Sequence, residues 1–567
     1  HDRNQIHTTR RETTAKGPDH HHHHHSIKNK KTAVVLLLTL TILISFSFQS
    51  KFFEVAKQIE IYTTLFKELN MYYVNEINPA EFTSKAIKNT LEDLDPYTNY
   101  YTEQDVETAR IRRAGEYGGI GISAIYNDRG ITIAEVYKDF AADKANLKPG
   151  DIITKVDGES LLNMEREQLS QFLKGVPDSK ITIQVERQGN SFSKEITREK
   201  VVVDAVPFFD MIDEETGYIT LTRFTDKASS EVKIAFRDLK KKGMTKLVFD
   251  LRSNPGGSLR EAINISNFFV PKGKVIVTTK AKVKKWSNTY KGTNEALDLD
   301  IPIVVLINGR SASASEIVSG SLQDYDRAVI MGERSFGKGL VQRYRELTYG
   351  TQLKVTISKY YTPSGRCIQE LDYANRDENG KVPKFSDSGI NTFKTENGRT
   401  VFDGGGVLPD VNVGYSKKTQ ETGTLLDSKA IFNFATDYYY KNPEVTEVAN
   451  FSFSKRDFQD FENFLKTDTT FTTEQEDLFK KAYISVEKES LVSNEYNQIK
   501  KALAENKVKK VSENEDLLTQ QITEEIIERY YYKEGVYKHK LQNDKVIAEA
   551  LSLLKNDKKY KEILSPK

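Results

Sequence analysis

Histidine and cysteine are almost absent from the body of this 567-residue chain. Of nine histidines, His1, His7 and His20–His25 lie in the N-terminal tail, and only His539 remains, in a charged stretch near the C-terminus. Cys367 is the single cysteine. An internal disulfide, a thiolate zinc site and lipid attachment at a cysteine just after the first hydrophobic segment are thereby excluded. So are a Ser-His-Asp hydrolase, a Cys-His protease and a multi-histidine metal site, each of which needs an imidazole that the body lacks. Proline is scarce, at 14 residues, while aromatics make up 10% of the chain, a combination that argues against a fibrous or largely disordered protein. Neither sign of charge is in excess. Seven Lys/Arg and three Asp/Glu fall in residues 1–31, which leaves 76 basic and 78 acidic groups, a net of −2, in the rest. Nucleic-acid binding normally shows as a basic surplus, so no nucleic-acid partner is expected. The length is too great for one core, and two to four domains are expected.

The run of six histidines in residues 1–31, a tag or a natural low-complexity tract, is set aside from fold reasoning. Thr32–Phe48 follows, 17 uncharged residues preceded by Lys28, Lys30 and Lys31. That is at the short end of a membrane span. Basic residues before it and a large domain after it predict a cytoplasmic tail and an exported body. The segment reads as an uncleaved anchor, since it lacks a clear A-x-A site; a signal peptide cut near Ser45 and Ser47 is the rival reading.

Apolar residues recur at helical spacing through a region spanning residues 52–112, with Asn78-Pro79 separating two helices and Leu94-Asp95-Pro96-Tyr97-Thr98 reading as a turn. Residues 113–202 form a β-rich module. The glycine-rich loop Gly118-Gly119-Ile120-Gly121-Ile122 runs into a strand, Pro149-Gly150-Asp151 turns toward Val156-Asp157-Gly158, and two strands face each other across Gln188-Gly189-Asn190. This segment resembles a PDZ domain, whose loop points backbone N–H groups at a terminal carboxylate while the adjacent strand edge pairs with an extended peptide. Residues 203–415 alternate strands and helices, the pattern of an α/β layer with a partly parallel sheet, interrupted by a polar insertion at about 368–400. Residues 416–567 are Lys/Glu-rich amphipathic helices without a catalytic motif.

Three features of the α/β part carry chemistry. Asp250-Leu251-Arg252-Ser253-Asn254-Pro255-Gly256-Gly257 follows a buried strand, and a glycine pair there leaves backbone N–H groups exposed, as an oxyanion hole requires. Ser311-Ala312-Ser313-Ala314-Ser315-Glu316 occupies the next strand-to-helix junction, where the helix dipole favours a developing anion. Spacing alone does not say which serine is reactive, and helix capping accounts equally well for all three. Gly337-Lys338-Gly339-Leu340-Val341-Gln342 sets a lysine between glycines; turned inward, its desolvated ammonium loses its proton more easily and becomes a usable base.

Together these motifs and the preceding PDZ-like segment resemble the C-terminal processing peptidases, or tail-specific proteases, over roughly residues 52–415. The resemblance implies a multidomain α/β protein: N-terminal helical segment, PDZ-like domain, crotonase/ClpP-like peptidase core and helical C-terminal extension. It implies a Ser-Lys dyad, with Ser313 as nucleophile, Lys338 as general base, Gln342 positioning the lysine from one helical turn beyond, and Glu316 auxiliary. The oxyanion donors carry over to the Ala314 N–H and that of Gly256 or Gly257. Gly118, Gly119, Ile120, Gly121 and Ile122 would bind the substrate's C-terminus. No metal or organic cofactor is called for. The expected partners are protein or peptide substrates with free C-termini and the membrane, with self-association into a homo-oligomer left open. The expected location is the bacterial cell envelope, anchored in the inner membrane and facing the periplasm, or free in the periplasm if the segment is cleaved. A catalytically silent PDZ scaffold is the alternative, but it would be expected to have lost the serine or the lysine. A crotonase-like acyl-CoA enzyme fits the sheet but not the export segment.

Overall fold

Four short runs, Thr216–Thr220, Lys246–Asp250, Ile303–Ile307 and Val329–Gly332, are buried on both faces almost throughout, as strands of a covered parallel sheet must be. The computed structural model describes residues 23–113, 118–445, 447–486 and 491–566. The tail through residue 22, with His1, His7 and the first three of the histidine run, lies outside them, as do residues 114–117 at the start of the PDZ-like segment. The chain divides into two units, residues 1–89 and 90–567.

In the first unit, His23–Tyr72 is one continuous helix, and its stretch from Lys28 is long and apolar enough to cross a membrane. Pro79 begins the next helix, Pro79–Glu92, at a position where its missing N–H costs nothing.

In the second unit the core sheet has the order Val411–Asn412, Val329–Gly332, Ile303–Ile307, Lys246–Asp250, Thr216–Thr220, Phe208–Met211. Every pairing is parallel except the last. Side chains alternate across it. Leu247, Phe249, Ile303, Val305 and Ile330 meet the helices Ala228–Lys241, Leu259–Phe269 and Ala314–Asp324 on one face. Val248, Val304, Leu306, Val329 and Met331 meet Val546, Ile547, Ala550, Leu553, Leu554 and Tyr560 on the other. The second face is therefore covered by the last two helices, Lys545–Lys555 and Asp557–Leu564, rather than by anything before residue 415. The Tyr560 hydroxyl seals this contact, accepting from Ile303 N–H at 2.9 Å and donating to Ile303 O at 3.0 Å.

A second, antiparallel sheet crosses the site: Asn99–Tyr101 and Leu340–Glu346 both pair with Gln352–Tyr361, which also pairs with Val275–Ala281. The 368–400 insertion contains a small hairpin, Thr392–Lys394 with Thr400–Phe402. The PDZ-like segment is a separate antiparallel sheet in the order Ile122–Asn127, Gly130–Val136, Ile152–Val156, Lys180–Arg187, Asn190–Thr197, with its own core around Ile131, Ile153 and Ile183. The C-terminal helices before residue 544 enclose a further core rich in phenylalanine, including Phe434, Phe458, Phe461 and Phe471.

Candidate active site

Three loops at the carboxyl ends of the parallel strands converge, and a buried asparagine and a buried glutamate join them. Asn254 joins the first two. Its side chain donates to Leu221 O and accepts from Gly256 N–H, while its carbonyl accepts from Ala312 N–H at 3.0 Å and from the Ser315 hydroxyl at 2.8 Å. Gly256 can occupy this position only as glycine. With φ at +103°, a Cβ there would stand 2.8 Å from Ser313 Cβ and 3.0 Å from Ala314 N.

The three serines that sequence could not separate are separated by hydrogen bonding. Ser311 donates to Leu251 O at 2.8 Å and Ser315 to Asn254 O at 2.8 Å, both fully buried and structural. Ser313 makes no such bond. It sits at the head of the helix Ala314–Asp324 with φ +57° and ψ −113°, a strained turn for a non-glycine residue, and its hydroxyl lies beside the Tyr360 phenol. Burial pushes that phenol up to about 12, against the pull of its hydrogen bond with Ser313 and with a smaller push from Tyr290.

Glu316 joins the second loop to the third. Its Oε1 accepts from Ser313 N–H and from Lys338 N–H, both at 2.9 Å. Its Oε2 accepts from the Ser335 hydroxyl at 2.6 Å and from Gly337 N–H at 2.7 Å. One buried carboxylate thus fixes the backbone of the serine and the backbone of the lysine together. Burial pushes its carboxyl up to about 7, against the pull of the four hydrogen bonds.

Lys338 points inward, and desolvation, then the neighbouring Lys354 charge, pull its ammonium below the ordinary lysine value; Glu316 and Asp95 act the other way. Its Nζ donates to Gln342 Oε1 at 3.1 Å and lies 4.5 Å from the centroid of the Tyr97 ring. Among the described residues no hydrogen bond joins it to the Ser313 hydroxyl. Gln342 is not one helical turn beyond, as the spacing suggested. It stands on the strand Leu340–Glu346, where an irregular register between Val341 and Gln342 turns it back toward the lysine.

Two expectations need correcting. Gly256 is unavailable as an oxyanion donor, because its N–H is held 2.9 Å from Asn254 Oδ1. Among the described residues the Gly257 and Ala314 N–H groups have no protein acceptor. In the PDZ loop, Gly118 and Gly119 likewise spend their N–H groups on Gly175 O and Glu199 O, closing the domain. Among the described residues Ile120 and Gly121 have no acceptor for theirs, and Ile122 opens an edge strand flanked by the helix Arg166–Phe172. Asp250 and Arg252 of the first motif are structural: they pair with each other at 2.8 Å, and Arg252 also pairs with Asp544 at 3.0 Å, at the start of the helix that covers the sheet.

Sequence reasoning missed Asp95, Tyr97, Thr98, Thr356 and Tyr360. The only available signal was the Asp-Pro-Tyr-Thr turn, whose docking place lies some 260 residues away in the strand Gln352–Tyr361. A cavity of about 350 Å³ opens beside the lysine loop, walled by Tyr97, Phe336, Leu371 and Tyr373.

Comparison with known proteins agrees with this architecture. Residues 215–374 match peptidase family S41, residues 108–186 match the PDZ domain, and residues 421–554 match the C-terminal helical domain of probable PDZ-proteases. A probable CtpA-like serine protease of Staphylococcus aureus is 34% identical over 307 residues, covering 54% of this chain and 61% of that protein. The chain thus spans about three-fifths of the length of the staphylococcal relatives. The carboxy-terminal-processing protease of Bartonella bacilliformis is 35% identical over 323 residues, 56% of this chain and 73% of that one. Among solved structures, the photosystem II D1 C-terminal processing protease is 27% identical, with a TM-score of 0.38, over 61% of this chain and 85% of that chain. With a relative matched at this identity over nearly three-quarters of its length, and S41, PDZ and helical segments in one order, the chain belongs to the carboxy-terminal-processing proteases of peptidase family S41.

Proposed function

We propose that this chain is a serine peptidase that cleaves exported proteins near or from their C-termini by a Ser313–Lys338 dyad. The observation that carries the reading is the shared Glu316 carboxylate, which ties the strained serine turn and a desolvated lysine into one frame. Neutral Lys338 takes the proton of Ser313, whose oxygen attacks the scissile carbonyl. Turning the amine of Lys338 toward Ser313, with one of its N–H groups kept on Gln342 Oε1, brings the two groups together; catalytic hydrogen bonds are commonly long before substrate arrives. The Gly257 and Ala314 N–H groups receive the oxyanion. The ammonium formed on Lys338 then protonates the leaving amine, and water, deprotonated by the same lysine, hydrolyses the acyl-enzyme. No cofactor enters any step.

The PDZ domain takes the substrate's terminal carboxylate on the unpaired N–H groups of Ile120 and Gly121, with the last residues added to the edge strand from Ile122. The apolar helix anchors the chain in the inner membrane of a bacterial envelope, body outward. A silent scaffold is not favoured, since both Ser313 and Lys338 are in place. The test is hydrolysis of a peptide by Ser313→Ala, Lys338→Ala and His539→Ala, with labelling of the serine by a reactive phosphonate. The first two should lose roughly 10⁴-fold or more, by the measure of triad knockouts, and the third nothing. Near-wild-type turnover by Lys338→Ala would reject the dyad.

A further inference from the structure

The hydrogen bond from Lys338 to Gln342 is the first of a directed chain. Gln342 Oε1 accepts from the lysine, so its amide nitrogen must donate, and it does, to Thr356 Oγ1 at 3.1 Å. Thr356 Oγ1, with one proton of its own, passes it to Asp95 Oδ1 at 3.2 Å. Asp95 is buried and receives donors only: Tyr97 N–H at 2.8 Å and Thr98 N–H at 2.9 Å on Oδ1, and the Thr98 hydroxyl at 3.1 Å on Oδ2. Thr98 Oγ1 also receives Thr356 N–H at 3.2 Å. The strand Asn99–Tyr101, paired antiparallel to Gln352–Tyr361 with Asn99 opposite Lys354, carries the turn to this place.

A carboxylate that can only accept sets the sense of every bond before it. With Asp95 at the end, the Thr356 hydroxyl must point toward it, the Gln342 amide must give its nitrogen to Thr356, and its oxygen must face the lysine. Were the chain to run the other way, an NH₂ group would face Lys338 and its protonated form would lose its acceptor.

We propose that Asp95 and Thr356 are positioning residues for the dyad, a relay that fixes the orientation of Gln342 and through it the placement of Lys338 during proton transfer. The inference rests on the Ser-Lys reading. Tyr97, next to Asp95, serves the same end from the other side, its ring face 4.5 Å from the ammonium. The turn is thus part of the catalytic apparatus although none of its atoms meets the reacting bond.

The charged and titratable groups facing Lys338 are Lys354 from the strand, Glu316 from the serine helix, and Asp95 with Tyr97 from the turn; Tyr373 faces Tyr97 and Asp95. The Asp95 charge favours the protonated lysine, so removing it should ease deprotonation.

The test uses the full chain, folding being checked by circular dichroism, with Thr356→Val, Thr356→Ser, Asp95→Asn and Lys338→Ala compared in peptide hydrolysis across pH. Thr356→Val, which removes the relay hydroxyl at nearly constant shape, should lower kcat by up to about 10²-fold, the cost of a misplaced reacting group. It should leave KM unchanged, and Thr356→Ser should recover most of the loss. Asp95→Asn keeps an oxygen for the Tyr97 and Thr98 N–H groups and should move the ascending limb of kcat/KM, set by Lys338, to lower pH. A loss in Thr356→Val that serine does not recover, or an unmoved limb in Asp95→Asn, would overturn the relay. Such results with an inactive Lys338→Ala would reject the relay alone; an active Lys338→Ala would reject the dyad beneath it.

Discussion

Glu316 offers a sharp test, because under the proposed mechanism two protons have to leave the site before it works. Its carboxylate is acceptor to four donors, Ser313 N–H, Ser335 Oγ–H, Gly337 N–H and Lys338 N–H. A protonated carboxyl would have to place an O–H among them, which loosens the hold on the lysine loop. Burial pushes the group up to about 7, so it titrates within the working range. The ionised form is the costly one: a rise from the ordinary value of 4.5 to about 7 means that folding favours the protonated acid. At about 1.4 kcal/mol per unit, ionisation in the folded state forgoes about 3 kcal/mol, a cost absent at low pH and complete above pH 7. The fold tolerates that strain, in this reading, because the charged form alone fits four donors. Activity then needs Glu316 ionised and Lys338 neutral, and both conditions improve as pH rises. Log kcat/KM should climb with a slope approaching two below about pH 7 and a slope of one from there to the lysine's own pKa. Glu316→Gln cannot titrate; it should follow a slope of one throughout, at a level lower by roughly 10²-fold because Gly337 and Ser335 face an NH₂ group. The assay is initial-rate hydrolysis of a short peptide from pH 5 to 10, with near-ultraviolet circular dichroism at each pH to show that the fold persists. A wild-type slope of one down to pH 5 would refute the requirement for an ionised Glu316.

Three other outcomes are expected. Lys354→Met removes the like charge that helps to hold Lys338 below the ordinary lysine value, so the ascending limb should move to higher pH, opposite in sense to Asp95→Asn. Asp544→Ala removes the cap accepting from Val546 and Ile547 N–H and one of the two carboxylates on buried Arg252; a loss of about 3–5 kcal/mol should appear as a lowered Tm, with kcat near normal well below it. Substrates ending in a free carboxylate should be cleaved faster than their C-terminal amides, since the charged acid offers two strongly accepting oxygens to the Ile120 and Gly121 N–H groups where the amide offers one neutral one; equal rates would reject tail recognition by this loop while leaving the dyad untouched.

Local chemistry dictated the elements and left their partners open. The near-absence of body histidines, the small-residue run at Ser311–Ser315 and the lysine between glycines are legible in the chain itself; they exclude imidazole chemistry, and the family resemblance they carry is what implies a serine and an amine. The buried strands were legible for the same reason: Lys246–Asp250 and Ile303–Ile307 are apolar almost without interruption, and nothing but a sheet covered on both faces hides such runs. Which residues cover the faces was not legible, because an amphipathic helix such as Lys545–Lys555 shows that it has a buried side without naming what lies against it. The same limit applies to the site. Ser313 differs from Ser311 and Ser315 only in where its hydroxyl can go, and that depends on Leu251 O and Asn254 O, carbonyls supplied by another strand-to-helix turn. Gly256 and Gly257 are alike in sequence, yet Asn254 Oδ1 takes the N–H of one and leaves the other. Gln342 follows from the family resemblance, but its setting one helical turn beyond the lysine does not hold: the segment is a strand, and a glycine-flanked stretch of seven residues carries too little pattern to tell the two apart. Asp95 and Thr356 lie 261 positions apart, and their hydrogen bond exists because an antiparallel pairing of three residues brings them together. Sequence records which groups a chain owns; the return of distant backbone to one point decides which of them meet.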